Sequence, residues 1–360
     1  MSKKKQQTTL HRNGKIELLR FVFAFFVAFF HLGCSVEHSS EKFKTGYMAV
    51  EFFFLVTGYL MAKSLSKELT DNSSQGNERL INTSLSFAWK KYTSFIYTFL
   101  VSVVFTSAAW INYYDLSAKE WILKMADAVP TFLLLPVFGF KTAPWYIPTW
   151  YLSAMMVTVV ILTPILLKHG KFYSLYAAPV LSLAMLGFIY RSKGYFDVNG
   201  DNWEGRINLG LLRAFAEISL GCTAYYLVEG GYLKKFGRKL LSAAAILCYA
   251  AVFAFMFGDY DHSMQIIVIL LMFAAVLVTF NNGDTFKFLN NKFVYFLGKL
   301  SLPVYLFHTI ARNYILKINS INDSYLKQCV VLFIATIALS LVGMALAELL
   351  KKLVEKVQKF

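Results

Sequence analysis

Arg20 and His31 bound one apolar stretch, RFVFAFFVAFFH, near the start of a strongly hydrophobic chain. A guanidinium holds an anion, and an imidazole that titrates near neutral pH can take and return a proton. On a helix, eleven residues turn through three revolutions plus about 20°, so the two side chains share a face ~16 Å apart along the axis. Ionisable groups inside a membrane span are costly and usually face a bundle interior or a wet cavity, which makes this stripe a candidate site. Glu17, three residues before Arg20, lies on the same stripe and can pair with it.

Other residues reach similar depths. Glu51, in GYMAVEFFFLVTG, sits about two turns into the second apolar run, near the level of His31. There it could orient and stabilise the imidazole as a carboxylate does in a base-plus-orienter pair, or make a packing hydrogen bond between helices that approach closely at Gly46 and Gly58. PWYIPTWYL supplies Trp145 and Trp150, either site-lining or part of an interfacial aromatic belt. In GKLSLPVYLFH, Ser301, Tyr305 and His308 fall at i, i+4 and i+7 on one face, past a kink expected at Pro303. Arg213 and Glu217 are spaced to pair with each other, as a self-neutralising couple or a substrate contact, and Lys299 is placed to snorkel inward.

Positioning such residues requires a membrane fold. The 360 residues are 57% hydrophobic and 16% charged, outside the soluble average. Apolar runs of roughly 20 residues recur without the alternation of a membrane barrel, which predicts an all-α polytopic bundle. Ten spans are read at approximately 16–36, 46–64, 87–111, 147–168, 172–190, 209–229, 238–257, 262–280, 293–315 and 325–350. The piece VPTFLLLPVFGF, broken by two prolines and a glycine, reads as interfacial or re-entrant. With both termini cytoplasmic, 22 of the 36 Lys and Arg fall on the inner side and 11 outside, as the positive-inside rule requires. The formal charge of +15 is then mostly a topology signal and an attraction to anionic lipid, with no call for nucleic acid. One membrane domain spans 1–360, with a basic start at 1–15 and a basic tail at 351–360; a multi-pass protein of the bacterial inner (cytoplasmic) membrane is expected. The first run, interrupted by Arg20 and His31 and followed by no small-x-small site, reads as a span and not a cleaved leader. Four scattered cysteines and six histidines without HxxxH or HExxH spacing support neither a disulfide framework nor a metal site. No P-loop or GxSxG elbow is present.

These residues resemble the membrane acyltransferase-3 family, which includes O-acetyltransferases of bacterial surface polysaccharides. Arg20 and His31 resemble its Arg-x10-His pair. Gly46 to Gly58 is similar to its glycine, FF, then SG signature, with Phe52 and Phe53 or Phe54 as the aromatics and Thr57 in place of serine. Trp150, Tyr151 and Leu152 resemble its WYL segment, and Tyr305 to His308 its late YLxH element. The resemblance implies an acyl-CoA co-substrate, most often acetyl-CoA, no bound cofactor, and a hydroxyl of a glycan or glycolipid as acceptor. It also implies that His31 is catalytic and that Arg20 contacts the donor. Coenzyme A held at Arg20 could reach His31 with its pantetheine arm. His31 would then act as general base with Glu51 behind it, or form an acyl-histidine; both stay open. Outer loops at 112–146 and 191–208 are placed to shape acceptor choice. Two other readings use the same charges: a transporter or flippase of an anionic amphiphile, and an idle homologue in a glycan-assembly complex.

Overall fold

In the computed structural model, residues 12–35, 42–70, 77–140, 149–258, 260–283, 285–318 and 324–358 are described. Polar caps set helix starts where apolar runs begin. The Asn13 side chain accepts from the Lys15 N–H to open α1 (Gly14–Gly33), and Asn208, Asn291 and Ser324 do the same for α8 (Leu209–Glu229), α11 (Lys292–Ile315) and α12 (Tyr325–Val357). The other helices are α2 (Ala49–Thr70), α3 (Asn77–Thr93), α4 (Ile96–Tyr114), α5 (Ala118–Phe132), α6 (Thr149–Phe172), α7 (Ala178–Lys193), α9 (Arg238–Phe257) and α10 (Gln265–Asn281). Strand structure among the described residues is a two-residue hairpin, Trp203–Glu204 with Ile207–Asn208.

Nine helical runs among the described residues are long and apolar enough to cross a bilayer. One of them, Thr149–Lys193, crosses twice. Its first half runs parallel to α8, with Trp150 beside Arg213 and Gly170 beside Tyr226. Its second half returns antiparallel: Thr223 donates to the Ser174 carbonyl and Ser182 to that of Ala216, both at 2.7 Å. The reversal falls at His169 (φ −135°, ψ 28°) and a π turn over Tyr173–Ala177. The chain is therefore a multi-pass α-helical bundle, and the ten expected crossings are present among the described residues.

One expectation changes and two gain detail. The span read at 87–111 is divided: residues up to Thr93 belong to α3, and the crossing helix starts at Ile96 after a tight turn at Ser94 and Phe95. No proline or glycine marks that break. The 120–140 piece is α5, opened by a Ser117–Glu120 capping box, and a short turn at Pro136–Phe138; fifteen helical residues rise only ~22 Å, too little to cross. At Pro303 the helix continues without interruption through α11.

Two close approaches fix the core. A Cβ on Gly58 would collide with the Ile218 carbonyl and one on Gly221 with that of Leu55, so α2 and α8 meet backbone to backbone. A Cβ on Gly298 would collide with Glu17, which lets the base of α11 close over α1.

Candidate active site

Three levels stack along α1. At the basic end of the bundle, Glu17 is buried and takes two guanidiniums, Arg12 at 3.3 Å and Arg20 at 3.5 Å. One carboxylate between two cations leaves a net positive charge. Two cavities of about 850 and 900 Å³ meet here, sharing Arg12, Arg20, Thr57, Leu60, Lys91 and Ser94 in their walls. Lys63, Lys90 and Lys287 line the first and Lys299 the second. Lys91, from α3 outside the spans, has its ammonium pushed down to about 8 by burial and by the nearby Arg20. The predicted Arg20 and Glu17 are thus brought together in a roomy, anion-attracting chamber. Arg12 and Lys91 were not singled out from sequence, because they arrive from separate segments.

Above the chamber, Phe53, Tyr151 and Tyr305 form an aromatic collar. Tyr151 and Tyr305 meet edge to face with centroids 5.5 Å apart, and Phe53 lies 6.2 and 6.5 Å from them. Thr57 hydrogen-bonds the Tyr151 side chain, so its hydroxyl helps to hold the collar. All three aromatic residues also line the 900 Å³ cavity. Ser301 lines it too, with its hydroxyl turned to the Gly298 carbonyl at 2.8 Å.

Beyond the collar the rings of His31 and His308 stack, with centroids 5.2 Å apart and planes inclined by 21°. His308 is fully buried, and its Nδ1 lies 2.7 Å from the Tyr305 carbonyl. A carbonyl only accepts, so Nδ1 carries a proton, and in the neutral form of the ring Nε2 is the bare lone pair. That Nε2 is buried and has no hydrogen-bond partner in the structure. Arg312, one turn further along the same face of α11, donates to Asn313 Oδ1 at 3.1 and 2.8 Å. His31 and His308 were each expected at this depth; their stacking on one another was not.

Glu51 is elsewhere. Both its oxygens bind Arg213, Oε2 to Nε at 3.1 Å and Oε1 to Nη2 at 2.5 Å, so its hydrogen bonds run to that guanidinium and not to the expected His31. The reason is rotational: Glu51, Leu55 and Gly58 share one face of α2, and the Gly58–Gly221 contact turns that face to α8 instead of α1. Arg213 also donates to the carbonyls of Val198 and Tyr47, at 3.2 and 3.3 Å, and sits 5.8 Å from the Trp150 ring centroid. Its predicted partner Glu217 is 3.5 Å away, a secondary contact beside Glu51. Trp150 is buried between this guanidinium, Phe54 and the backbone at Gly200, which replaces the belt reading with a core one; Trp145 lies outside the described residues. Gln265 completes the knot, accepting from the Phe196 N–H at 2.8 Å and binding the Tyr47 hydroxyl. Glu51, Arg213, Glu217 and Trp150 therefore fasten α2, α6, α8 and the 194–208 connection to one another. Among the described residues, no cluster of His, Cys, Asp and Glu could hold a metal ion.

A polytopic helical protein with a basic chamber on one side and paired imidazoles on the other has the form of a membrane-embedded group-transfer enzyme. The family model for the acyltransferase domain, acyltransferase-3, matches residues 13–347, and the chain belongs to that family. No match was found among curated proteins or among solved structures.

Proposed function

We propose that this membrane acyltransferase is an O-acetyltransferase: it takes an acetyl group from cytosolic acetyl-CoA and gives it to a hydroxyl of a cell-surface polysaccharide or its lipid-linked precursor. The observation that carries the reading is the shared face of α1, which joins Arg20 in a cation-lined chamber to His31 beyond an aromatic collar. Coenzyme A is polyanionic, and its phosphates suit a chamber where cations outnumber carboxylates. Its pantetheine arm is long enough to carry the thioester past Phe53, Tyr151 and Tyr305.

His31 then accepts the proton of the acceptor hydroxyl while that oxygen bonds to the acetyl carbon. The C–S bond breaks, and the imidazolium returns its proton to the departing thiolate, so the step leaves His31 neutral. His308, with its proton fixed on Nδ1, presents Nε2 beside this ring to accept a hydrogen bond from the imidazolium or the acceptor, the part expected of Glu51. Arg213 and Glu51 hold the scaffold. General-base help of this kind amounts to ~10²–10⁴-fold.

A cell carrying His31→Ala should insert the protein normally and lose glycan O-acetyl groups by about that factor, read by mass spectrometry of surface glycans. Retained acetylation removes His31 from the mechanism. Movement of an anionic amphiphile without acetyl transfer, in vesicles given radiolabelled acetyl-CoA, would favour the transporter reading.

A further inference from the structure

Helix α3 has two unlike faces. Leu80 and Phe87 pack on the bundle, and Phe87, Lys90 and Lys91 line the 850 Å³ chamber. The other face carries Ile81, Leu85 and Trp89 at i, i+4 and i+8, exposed by 57%, 62% and 66%. No residue of α3 is fully buried, so this stripe is not a core face displaced. Its position is set by connectivity: two residues, Ser94 and Phe95, separate Thr93 from α4, and the hydrogen bonds Ser94 N–H to Lys91 O and Phe95 N–H to Tyr92 O (both 3.2 Å) keep that turn tight. The end of α3 is thus held at the level where α4 enters the membrane. A stripe ending in Trp at that level, on a helix with Arg79, Lys90 and Lys91 against Glu78, matches an amphipathic helix lying in an anionic interface.

The geometry points to α3 as a membrane-docked wall of the chamber: Ile81, Leu85 and Trp89 rest in the anionic leaflet on the basic side, and this docking sets the packing of Phe87, Lys90 and Lys91 around the chamber's ligand. The docking stands on α3 alone; its effect on ligand binding rests on the acyl-CoA reading above.

The test uses the full chain in lipid nanodiscs. Brominated phosphatidylcholine should quench a component of tryptophan emission that disappears in Trp89→Phe; unchanged quenching in that variant overturns the docking. Coenzyme A should bind on the order of fivefold tighter in discs with ~30% phosphatidylglycerol than in phosphatidylcholine alone, as expected for a basic helix at a charged interface. Ile81→Ser/Leu85→Ser, on exposed positions that leave the fold intact, should abolish that difference. A double variant that keeps the native lipid response overturns the wall's role. Quenching of Trp89 with no coenzyme A binding in any disc upholds the docking and overturns the donor reading instead.

Discussion

Two of the intramembrane arginines among the described residues, Arg213 and Arg20, stand in opposite stoichiometries. Arg213 is fully buried and faces two carboxylates, Glu51 and Glu217, with further hydrogen bonds to backbone. At the basic end the ratio inverts: Glu17 alone serves Arg12 and Arg20, and the Arg20 side chain keeps 31% of its exposure against the chamber. A fully buried guanidinium that spends four of its five N–H donors inside the protein has little left for a ligand. One that shares a carboxylate and faces open volume can take an anion. On the proposed reading, the same residue type in the same membrane is a rivet in one place and a receptor in the other.

The largest effect that separates them is on folding. Arg213→Leu strands two buried carboxylates, and breaking a buried pair from one side costs ~3–5 kcal/mol. Detergent-solubilised protein should lose most of its folded fraction in a thermal size-exclusion assay. The triple variant Arg213→Leu/Glu51→Leu/Glu217→Leu, which removes the charges together, should recover much of that loss. An Arg213→Leu protein with native thermal stability would break the comparison, because it would show that Arg213 is not holding the scaffold.

The converse applies to Arg20. Arg20→Gln should cost at most ~1 kcal/mol of thermal stability, because Arg20 is partly exposed and the buried Glu17 keeps its pairing with Arg12. Its KM for acetyl-CoA should rise ~10–100-fold through loss of charge-assisted hydrogen bonds to the donor. Arg20→Lys should fall between, since an ammonium keeps the charge and loses the fork. A variant whose KM is native while its stability falls would reassign Arg20 to the scaffold.

Sequence reasoning separated these two arginines incompletely, and the reason is geometric. Arg20 and His31 lie on one helix, where periodicity alone fixes their common face, so the axis of the site was legible. Hydropathy and charge bias likewise marked the crossings, including the hairpin that folds as one continuous run. The partner of Glu51 was not legible: depth along a helix follows from counting, but rotation about its axis depends on which neighbour packs closest, here α8 at Gly58 and Gly221. The collar was half visible, since Tyr305 was marked and Tyr151 entered only through the WYL resemblance. Lys91 and the end of α3 were hidden because Thr93–Ile96 carries no proline or glycine to announce a break. Arg12 lay just before a span and read only as topology.

Lys91 supplies the finest test of the comparison, because it belongs to the receptor end but is itself partly desolvated. Burial and Arg20 lower its ammonium from the usual lysine range to about 8. Below that pH it is charged and adds to the field that holds a polyanion; as pH rises from 7 to 9.5 the charge is lost, and the KM for acetyl-CoA should climb ~2–5-fold, the scale of a partly screened pair. Stability should move the other way. Between about 8 and the usual lysine value the unfolded chain binds a proton that the folded chain does not, so raising pH through that window stabilises the fold. Lys91→Met should flatten both trends, starting from a higher KM. Opposed pH slopes for affinity and stability, both removed by one substitution, would mark a cation held at the folded state's expense for a ligand; parallel slopes, or slopes that persist in Lys91→Met, would take Lys91 out of the donor site.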